Sequence, residues 1–177
     1  IERVVFLNEE NGFCVLRVKI RSQKELATVT GSSPNVNEGE WLTADGEWFN
    51  DPRHGRQFKA ENMRTTRPDT LEGIEKYLAS DLVKGIGKEY ASRLVKKFGR
   101  DVFDVIENNS AKLLQVEGIG KLRKECIKQA WDEQKSIRQI MSFLFSHGIS
   151  TSKAFRIHKK YGERAIEVLQ RDPYCLA

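Results

Sequence analysis

The sequence lacks any long run of apolar residues. No stretch approaches the roughly 20 consecutive apolar residues that a membrane-spanning helix needs, so we predict that no segment crosses a membrane and that a membrane is not a partner. No signal peptide is visible at the start, because residues 1–7 (IERVVFL) resemble a β-strand. The first residue is not Met, and we therefore expect the chain to be a piece of a longer protein.

Cysteine is scarce and scattered along the sequence. The 3 cysteines, Cys14, Cys126 and Cys175, form no CxxC pair and no framework of the kind that stabilises small secreted domains. This pattern fits a reducing compartment, and we expect a cytoplasmic protein.

Recognisable catalytic motifs are missing as well. The Gly-Lys pairs at 87–88 and 120–121 are followed by Glu89 and Leu122, so neither completes the phosphate-binding loop GxxxxGK[ST]. We find no Ser/His/Asp set and no cluster with the spacing of metal ligands. We therefore predict that these residues contain no catalytic group, no metal site and no cofactor.

Positive charge is concentrated in one part of the chain. The formal net charge is +5, and residues 1–67 hold 10 Lys and Arg against 10 Asp and Glu, whereas residues 68–177 hold 20 against 15. A basic segment beside a neutral one is typical of a protein that faces a polyanion, although many solvated helices carry a similar surplus.

The periodicity of the apolar residues changes near Pro68. Before it, polar and apolar residues alternate, most clearly at 13–20, and the preceding Asn11-Gly12 is typical of a tight hairpin turn. Five short strands are predicted, at residues 4–7, 13–20, 26–31, 40–47 and 57–64. Five strands in about 65 residues favour an OB-like β-barrel, with a small SH3-like barrel as the alternative.

Helical periodicity begins after a linker at residues 64–70. Asp69 and Glu72 resemble a capping box, which predicts that a helix starts there. The helical part also contains a repeat: Gly-Ile-Gly at 85–87 recurs at 118–120 and, as Gly-Ile-Ser, at 148–150. A shift of 63 residues superposes residues 85–113 on 148–176. Many identical or similar residues at one fixed shift indicate a repeated supersecondary unit.

A Gly-apolar-Gly turn between two helices is typical of the helix-hairpin-helix motif. We expect its glycines to adopt backbone angles that a Cβ would forbid, and Ile86 and Ile119 to lie buried under their hairpins. The helix that follows presents free N–H groups and the positive end of its dipole, which suits a phosphate. The DNA-binding residues predicted from the three hairpins and their rims are Lys84, Gly85, Gly87, Lys88, Gly118, Gly120, Lys121, Gly148, Ser150, Thr151 and Lys153.

The three hairpins are not equivalent in sequence. One copy alone is explained as a simple closure of two helices, whereas repeated copies with cations or hydroxyls at the rim favour contact with a nucleic-acid backbone. In the second copy Lys124 replaces the small Ala91, and Glu117 adds a negative charge; in the third, Ser150 replaces a glycine. We therefore expect the first hairpin to contribute most.

The predicted fold class is α+β with two domains. An N-terminal all-β OB-like barrel occupies residues 1–67, and an all-α tandem helix-hairpin-helix array occupies residues 68–177. In OB-folds, loops and one sheet face hold single strands through charge and aromatic stacking. The barrel candidates are Arg17, Lys19, Arg53 and Arg56, together with the aromatic residues Trp41, Trp48 and Phe58. The zero net charge of residues 1–67 argues against this group.

Six segments, in order along the chain, carry a resemblance to a known family. They are RVVFLNEENGFCVLRV at 3–18, GEW at 46–48, GRQF at 55–58, YLAS at 77–80, KGIG at 84–87 and DPY at 172–174. Together they resemble the N-terminal region of bacterial RecD-like (RecD/TraA-type) ATP-dependent DNA helicases, over essentially the whole chain. Arg53-His54, where the family more often has an aromatic residue before Gly55, and the third hairpin depart from the family pattern.

The resemblance implies an OB-like barrel, tandem helix-hairpin-helix units and then a superfamily 1 motor that moves 5′ to 3′ on single-stranded DNA. It implies that DNA is a partner, either single-stranded or at a junction of single and double strands. The protein's own C-terminal helicase motor is the second implied partner. ATP and Mg²⁺ are expected in those motor domains, outside the present residues.

Two other functions stay open at this point. An OB-like barrel followed by tandem hairpins also resembles the RuvA branch-migration subunit, a junction-binding module without a motor of its own. The second alternative is a protein-docking module of a DNA repair complex. A phosphate-binding loop further along the reading frame would favour the helicase, whereas salt-sensitive DNA binding would argue against the docking module.

Overall fold

A computed structural model describes residues 1–8, 10–33, 36–80, 85–147, 149, 153, 156–157 and 160–171. The chain forms two units. The double-hairpin unit comprises Ile1, Asn37–Trp41 and Thr66–Lys135, and the sheet unit comprises Glu2–Val36, Leu42–Thr65 and Ser136–Ala177. The domain boundary after Arg67 that the sequence suggests stays a prediction.

The N-terminal residues form a five-stranded sheet. Its strands are β1 Arg3–Leu7, β2 Phe13–Lys19, β3 Leu26–Ser32, β4 Trp41–Asp51 and β5 Gly55–Thr66. The order across the sheet is β1-β2-β3-β5-β4, in which β1 and β3 run antiparallel to β2 while β3 and β5 run parallel. A three-stranded meander followed by a strand that returns beside β3 is the arrangement of an OB-fold, so the predicted fold class is confirmed.

Alternating side chains build the core of the sheet. Cys14 and Leu16 are fully buried, and Val29 of β3, which lies opposite Leu16 in the register, is buried with them. Burial raises the pKa of the Cys14 thiol to about 11, and a hydrogen bond with the backbone of Ser33 opposes this only in part. Cys14 therefore stays a protonated apolar core residue at neutral pH.

The β4–β5 hairpin is longer than the sequence predicts. Strand β4 continues past Gly46 to Asp51, where a turn forms because the Asp51 carboxylate accepts hydrogen bonds of 2.8 Å from the backbone N–H groups of both Arg53 and His54. These two bonds lower the pKa of Asp51. The turn thus lies beyond Asp45-Gly46, near which the sequence predicts the end of the strand.

The remaining described residues are helical or irregular. The helices are α1 Leu71–Ala79, α2 Lys88–Phe98, α3 Val102–Asn108, α4 Lys121–Ser146 and α5 Ala165–Arg171, with 3₁₀ turns at Gly99–Asp101, Ser110–Gln115 and Gly162–Arg164. Within the described part of residues 85–165 there is no strand, as the change in periodicity predicts. None of the described helices is both long and apolar enough to cross a membrane.

Helix α1 begins one residue later than a capping box at Asp69 requires. Its cap is Thr70, whose hydroxyl accepts a hydrogen bond from the backbone N–H of Gly73. Asp69 instead accepts a bond of 2.7 Å from the indole N–H of Trp41. The expectation that Asp69 caps the helix is therefore wrong, because its carboxylate has a tertiary partner.

Residues 37–41 pack on helix α1. Gly39 has a φ of +87°, and a Cβ at this position would overlap the carbonyl oxygen of Gly73, so the two backbones meet directly. Beside this contact the buried carboxylate of Glu40 accepts hydrogen bonds from the backbone and side-chain N–H groups of Asn37. Residues 37–41 are thus grouped with helix α1 in the double-hairpin unit.

The core of the double-hairpin unit collects apolar residues from α1 to α4. Its buried members are Ile74, Tyr77, Leu78, Ile86, Ala91, Leu94, Val95, Val102, Val105, Ile106, Leu113, Val116, Ile119, Ile127, Ala130 and Trp131. Ile86 and Ile119 are each only 4% exposed, which confirms that the central residue of each hairpin is buried.

The repeat found in the sequence is also a repeat of local structure. At the same shift that superposes the sequences, the 3₁₀ turn Gly99–Asp101 and helix α3 recur as Gly162–Arg164 and helix α5, with equal lengths. The glycine that opens each turn has nearly the same φ, +58° at Gly99 and +55° at Gly162. In the second copy Ile157 and Ala165 are buried, like their counterparts in the first copy.

Candidate nucleic-acid interface

The hairpins at 85–87 and 118–120, called hairpin 1 and hairpin 2 below, share one backbone conformation. Their first glycines have φ angles of +94° and +84°. In each, the carbonyl oxygen of the last glycine accepts a 2.9 Å hydrogen bond from an N–H one turn into the next helix, that of Ala91 in α2 and of Lys124 in α4. The repeated Gly-Ile-Gly of the sequence therefore produces two equivalent turns.

Only the first glycine of each hairpin has a backbone conformation that requires glycine. Gly85 and Gly118 occupy the left-handed region, which a side chain rarely tolerates. Gly87 has a φ of −89° and a ψ of 177°, and Gly120 is not among the residues with positive φ. The expectation that all hairpin glycines need forbidden angles is thus wrong for the last glycine of each hairpin.

The last glycines are instead exposed and open. A Cβ built on Gly87 or Gly120 would meet nothing within 4 Å. Gly87 caps helix α2 without a side-chain hydrogen bond, so the first N–H groups of the helix are left to a ligand. Such a helix start carries the positive end of the helix dipole and suits a phosphate oxygen.

Each open glycine is followed by an exposed lysine. Among the described residues, neither Lys88 nor Lys121 forms an ion pair. The nearby carboxylates differ: Glu89 is paired with Arg93 one turn along α2, whereas the exposed Glu117 lies just before hairpin 2. Both hairpins thus offer a cation to an anionic ligand, and hairpin 2 carries an additional negative charge.

The first glycine of each hairpin packs against the helix that follows the other hairpin. A Cβ on Gly85 would lie 3.6 Å from side-chain atoms of both Cys126 and Ile127 in α4. A Cβ on Gly118 would lie 2.9 Å from the ring of Tyr90 and 3.2 Å from the guanidinium of Arg93, both in α2. This reciprocal packing holds the two hairpins beside each other.

A tyrosine–arginine cluster (Tyr90, Arg93 and Arg123) reinforces this packing. Arg93 donates a 2.9 Å hydrogen bond to the carbonyl oxygen of Glu117, and Arg123 donates one of 2.7 Å to that of Gly118. The guanidinium of Arg123 lies 4.1 Å from the centroid of the Tyr90 ring, and that of Arg93 lies 5.6 Å from it. The sequence gives no local signal for the Arg93–Glu117 and Arg123–Tyr90 contacts, because each of them joins residues from different hairpins.

A second cluster fixes Arg67, which lies in the middle of the predicted linker. Arg67 donates a 3.0 Å hydrogen bond to Glu107, and its guanidinium lies 5.3 Å from the ring of Trp131. Partial burial tends to raise the pKa of Glu107, but hydrogen bonds from Trp131 and Arg67 and the charges of Arg67 and Lys135 outweigh it and lower the pKa. Arg67 is therefore anchored in the double-hairpin unit.

The predicted hairpin residues fall into three groups: those in the double-hairpin unit, one in the sheet unit, and those outside the described residues. Gly85, Gly87, Lys88, Gly118, Gly120 and Lys121 lie together in the double-hairpin unit. Lys153 is exposed in a helical segment of the sheet unit. The remaining predicted hairpin residues, Lys84, Gly148, Ser150 and Thr151, lie outside the described residues.

Three of the barrel candidates form a small aromatic–cation group. Arg56 places its guanidinium 4.6 Å from the centroid of the Trp48 ring, and Trp48 meets Phe58 edge to face at 5.3 Å. Arg17 is exposed on β2 and donates a hydrogen bond to Thr28. The other candidates have different surroundings: Lys19 is exposed at the end of β2, Arg53 lies in the β4–β5 turn, and Trp41 bonds to Asp69.

Comparison with known proteins first defines the class of the two regions. Residues 1–68 match a family model described as the OB-fold domain of the ATP-dependent DNA helicase YrrC. Residues 133–177 match a second model, the HHH domain of the ATP-dependent RecD2 DNA helicase. The second match includes the third hairpin, in which Ser150 replaces a glycine. The chain thus resembles an OB-fold domain in its N-terminal part and a helix-hairpin-helix domain in its C-terminal part, and both models are named after ATP-dependent DNA helicases.

A curated relative matches nearly the whole chain. The ATP-dependent RecD2 DNA helicase of Deinococcus radiodurans is 29% identical over 97% of this chain. The chain spans about a quarter of the length of that relative, 25%. No solved structure matches. The two family models and this relative together support the resemblance of the chain to the N-terminal region of RecD-like helicases.

Proposed function

We propose that the chain is the DNA-binding N-terminal region of a RecD-like ATP-dependent DNA helicase, and that hairpins 1 and 2 hold the phosphate backbone of DNA. The curated relative and both family models carry the name of a DNA helicase, which supports DNA as the partner. The geometry of hairpins 1 and 2 supports contact with phosphates in particular.

The observation that carries this proposal is the repeated combination of an open glycine, a helix start and an exposed lysine. Gly87 and Gly120 leave space for another backbone, and Lys88 and Lys121 add charge next to them. N–H groups and lysines contact phosphate oxygens without reading bases. The proposed binding is therefore independent of sequence and suits a protein that moves along DNA.

We assign ATP hydrolysis and strand separation to the motor of the parent protein. The proposed parent is a cytoplasmic enzyme that moves 5′ to 3′, and its motor would hold ATP and Mg²⁺. The present residues do not fit such a site. Among those that the structure describes, no three or more His, Cys, Asp or Glu are grouped to hold a metal ion, and the Gly-Lys pairs are not followed by Ser or Thr.

A salt titration tests the proposal. Labelled single-stranded DNA, duplex DNA and a junction of the two are titrated with the chain at several salt concentrations. We expect affinity to fall steeply as salt rises, because bound counterions are released, and to be insensitive to base sequence. A flat response to salt would contradict the proposal and favour a docking function for the unit.

A pair of variants localises the contact. Lys88→Ala should weaken binding to all sequences alike and lower the slope of log affinity against log salt by about one. Lys97→Ala is the matched control, because Lys97 is an exposed lysine in the last turn of the same helix, about 14 Å from Lys88 along the helix axis. Equal effects of the two variants would refute a specific role of hairpin 1.

A further inference from the structure

Leu122 is the second residue of helix α4 and has an unusual environment for a leucine. Its exposed fraction is 85%, the largest among the large apolar side chains of the described residues. Single exposed leucines are common and need no explanation by themselves. What distinguishes this one is its position two residues after the open glycine of hairpin 2, with which it lines a pocket.

Leu122 lines a shallow pocket between the two hairpins. The pocket has a volume of about 390 Å³ and is lined by Gly85, Gly118, Gly120, Leu122, Arg123 and Cys126. The first of these belongs to hairpin 1, and the next two belong to hairpin 2. Leu122 is the one large aliphatic side chain in this lining.

The pocket lies between the two proposed phosphate sites, so a ligand that binds both sites would cover it. A nucleic acid that placed one phosphate at Gly87 and another at Gly120 would pass over the space between them. The surface between successive phosphates of a nucleic-acid backbone includes the C–H groups of the sugar. Contact of an apolar side chain with such a surface removes both from water and releases no counterions, so it does not change the slope of log affinity against log salt.

Hairpin 1 has no counterpart of this side chain. The residue at the corresponding position is Glu89, whose carboxylate is paired with Arg93. An apolar residue is thus present at one of two turns that share the same backbone hydrogen bond and a first glycine of positive φ. The repeat does not require it, since the backbone of hairpin 1 forms with a glutamate in its place.

We propose that Leu122 contacts the sugar surface of a nucleic acid bound across hairpins 1 and 2, and that it determines specificity for nucleic acid over other polyanions. This inference rests on the proposed function, because it needs phosphates at both hairpins. Leu122 adds an apolar contribution that releases no counterions to binding that otherwise depends on charge.

The test compares two polyanions, one with sugars and one without. Binding of labelled duplex DNA is measured directly, and linear polyphosphate is measured as its competitor, for the wild type and Leu122→Ala. We expect about tenfold weaker DNA binding in the variant, with an unchanged salt slope. Affinity for polyphosphate should not change, and neither should thermal unfolding, because the side chain is exposed.

Two matched variants sharpen the test. Leu122→Met keeps most of the apolar surface and should bind DNA within about threefold of the wild type. Leu114→Ala removes another exposed leucine, 43% exposed and outside the pocket lining, and should leave DNA affinity unchanged. Equal losses for DNA and polyphosphate, or equal losses in the two alanine variants, would overturn the inference.

The outcome separates this inference from the proposed function. If the wild type binds DNA with a steep salt dependence and Leu122→Ala binds equally well, the inference fails while the proposed function stands. If the wild type shows no salt-dependent DNA binding, the proposed function fails and the inference fails with it. Loss of binding to a protein rather than to DNA in Leu122→Ala would also contradict the inference.

Discussion

Hairpins 1 and 2 fold alike but present different side chains. Both begin with a glycine of positive φ, bury an isoleucine and end at an open glycine next to an exposed lysine. Around this shared turn, hairpin 1 has a glutamate paired within its own helix, whereas hairpin 2 has the exposed Leu122 and the carboxylate of Glu117. The turn and the lysine that both hairpins share suit a phosphate, whereas the side chains that differ make the proposed phosphate contacts of the two hairpins unequal.

The hairpins also differ in how tightly their first glycine is packed. A Cβ on Gly118 would come within 3.1 Å of the Tyr90 hydroxyl and closer still to its ring, whereas a Cβ on Gly85 would meet only ordinary contacts at 3.6 Å. Hairpin 2 should therefore be the more sensitive of the two to substitution.

The largest expected effect is on stability. Gly118→Ala should destabilise the fold by about 2–3 kcal/mol, because it adds a clash with Tyr90 to the cost of a left-handed alanine. Gly85→Ala should cost only the left-handed conformation, about 1–2 kcal/mol. Urea unfolding of each variant measures these differences.

Gly120→Ala is the control in the same hairpin. It should change stability by no more than about 0.5 kcal/mol, because Gly120 has no positive φ and no close neighbour. A ranking in which Gly120→Ala is the most damaging of the three would contradict the description of the hairpins.

The next effect is also on stability and concerns the hydrogen bonds that attach helix α4, which begins at hairpin 2, to the rest of the double-hairpin unit. Glu107 accepts a 3.1 Å hydrogen bond from the indole of Trp131 in this helix and a 3.0 Å bond from Arg67. Glu107→Gln should cost about 1–2 kcal/mol at pH 7, because the bonds lose their charge assistance. Thermal or urea unfolding as a function of pH measures the difference.

The pH dependence follows from the lowered pKa of Glu107. A carboxyl whose pKa is lower in the folded state stabilises the fold above the pKa that it has in the unfolded chain, about 4.3. This contribution disappears as the pH falls through the lower pKa of the folded state. The gap between wild type and Glu107→Gln should therefore close in acid, and a gap independent of pH would contradict the assigned role.

The smallest effect tests the extra charge at hairpin 2. Glu117→Gln removes an exposed carboxylate beside the proposed phosphate site and should raise DNA affinity by about two- to threefold at low salt, with less gain at high salt. Glu133→Gln, an exposed carboxylate far along α4, is the matched control. Equal gains in both variants would show only a general change in net charge.

The sequence predicts the elements of the fold well because they depend on local patterns. Alternation in β2, the change of period near Pro68 and the repeated Gly-Ile-Gly each lead to the observed element. The buried positions of Ile86 and Ile119 also follow from the motif. Such features depend on residues within one or two turns of each other.

What the sequence does not predict depends on contacts between distant residues. Thr70 caps α1 because Asp69 bonds to Trp41, which is remote in sequence. Tyr90 and Arg123 meet only because the two hairpins pack side by side. The open surroundings of Gly87 cannot be predicted for another reason. A glycine can be present because the backbone has a positive φ or because a side chain would block a ligand, and the sequence alone does not tell these two cases apart.

The central claim is that both hairpins hold phosphates, and a double-variant cycle tests it most directly. The salt dependence of duplex DNA binding is measured for the wild type, Lys88→Ala, Lys121→Ala and the double variant, with Lys97→Ala as control. Each single variant should lower the log–log slope by about one, and the double variant by about two, since each lysine neutralises its own phosphate. If the slope does not change in one of the single variants, or if the double variant equals a single one, the two hairpins do not act as two phosphate sites.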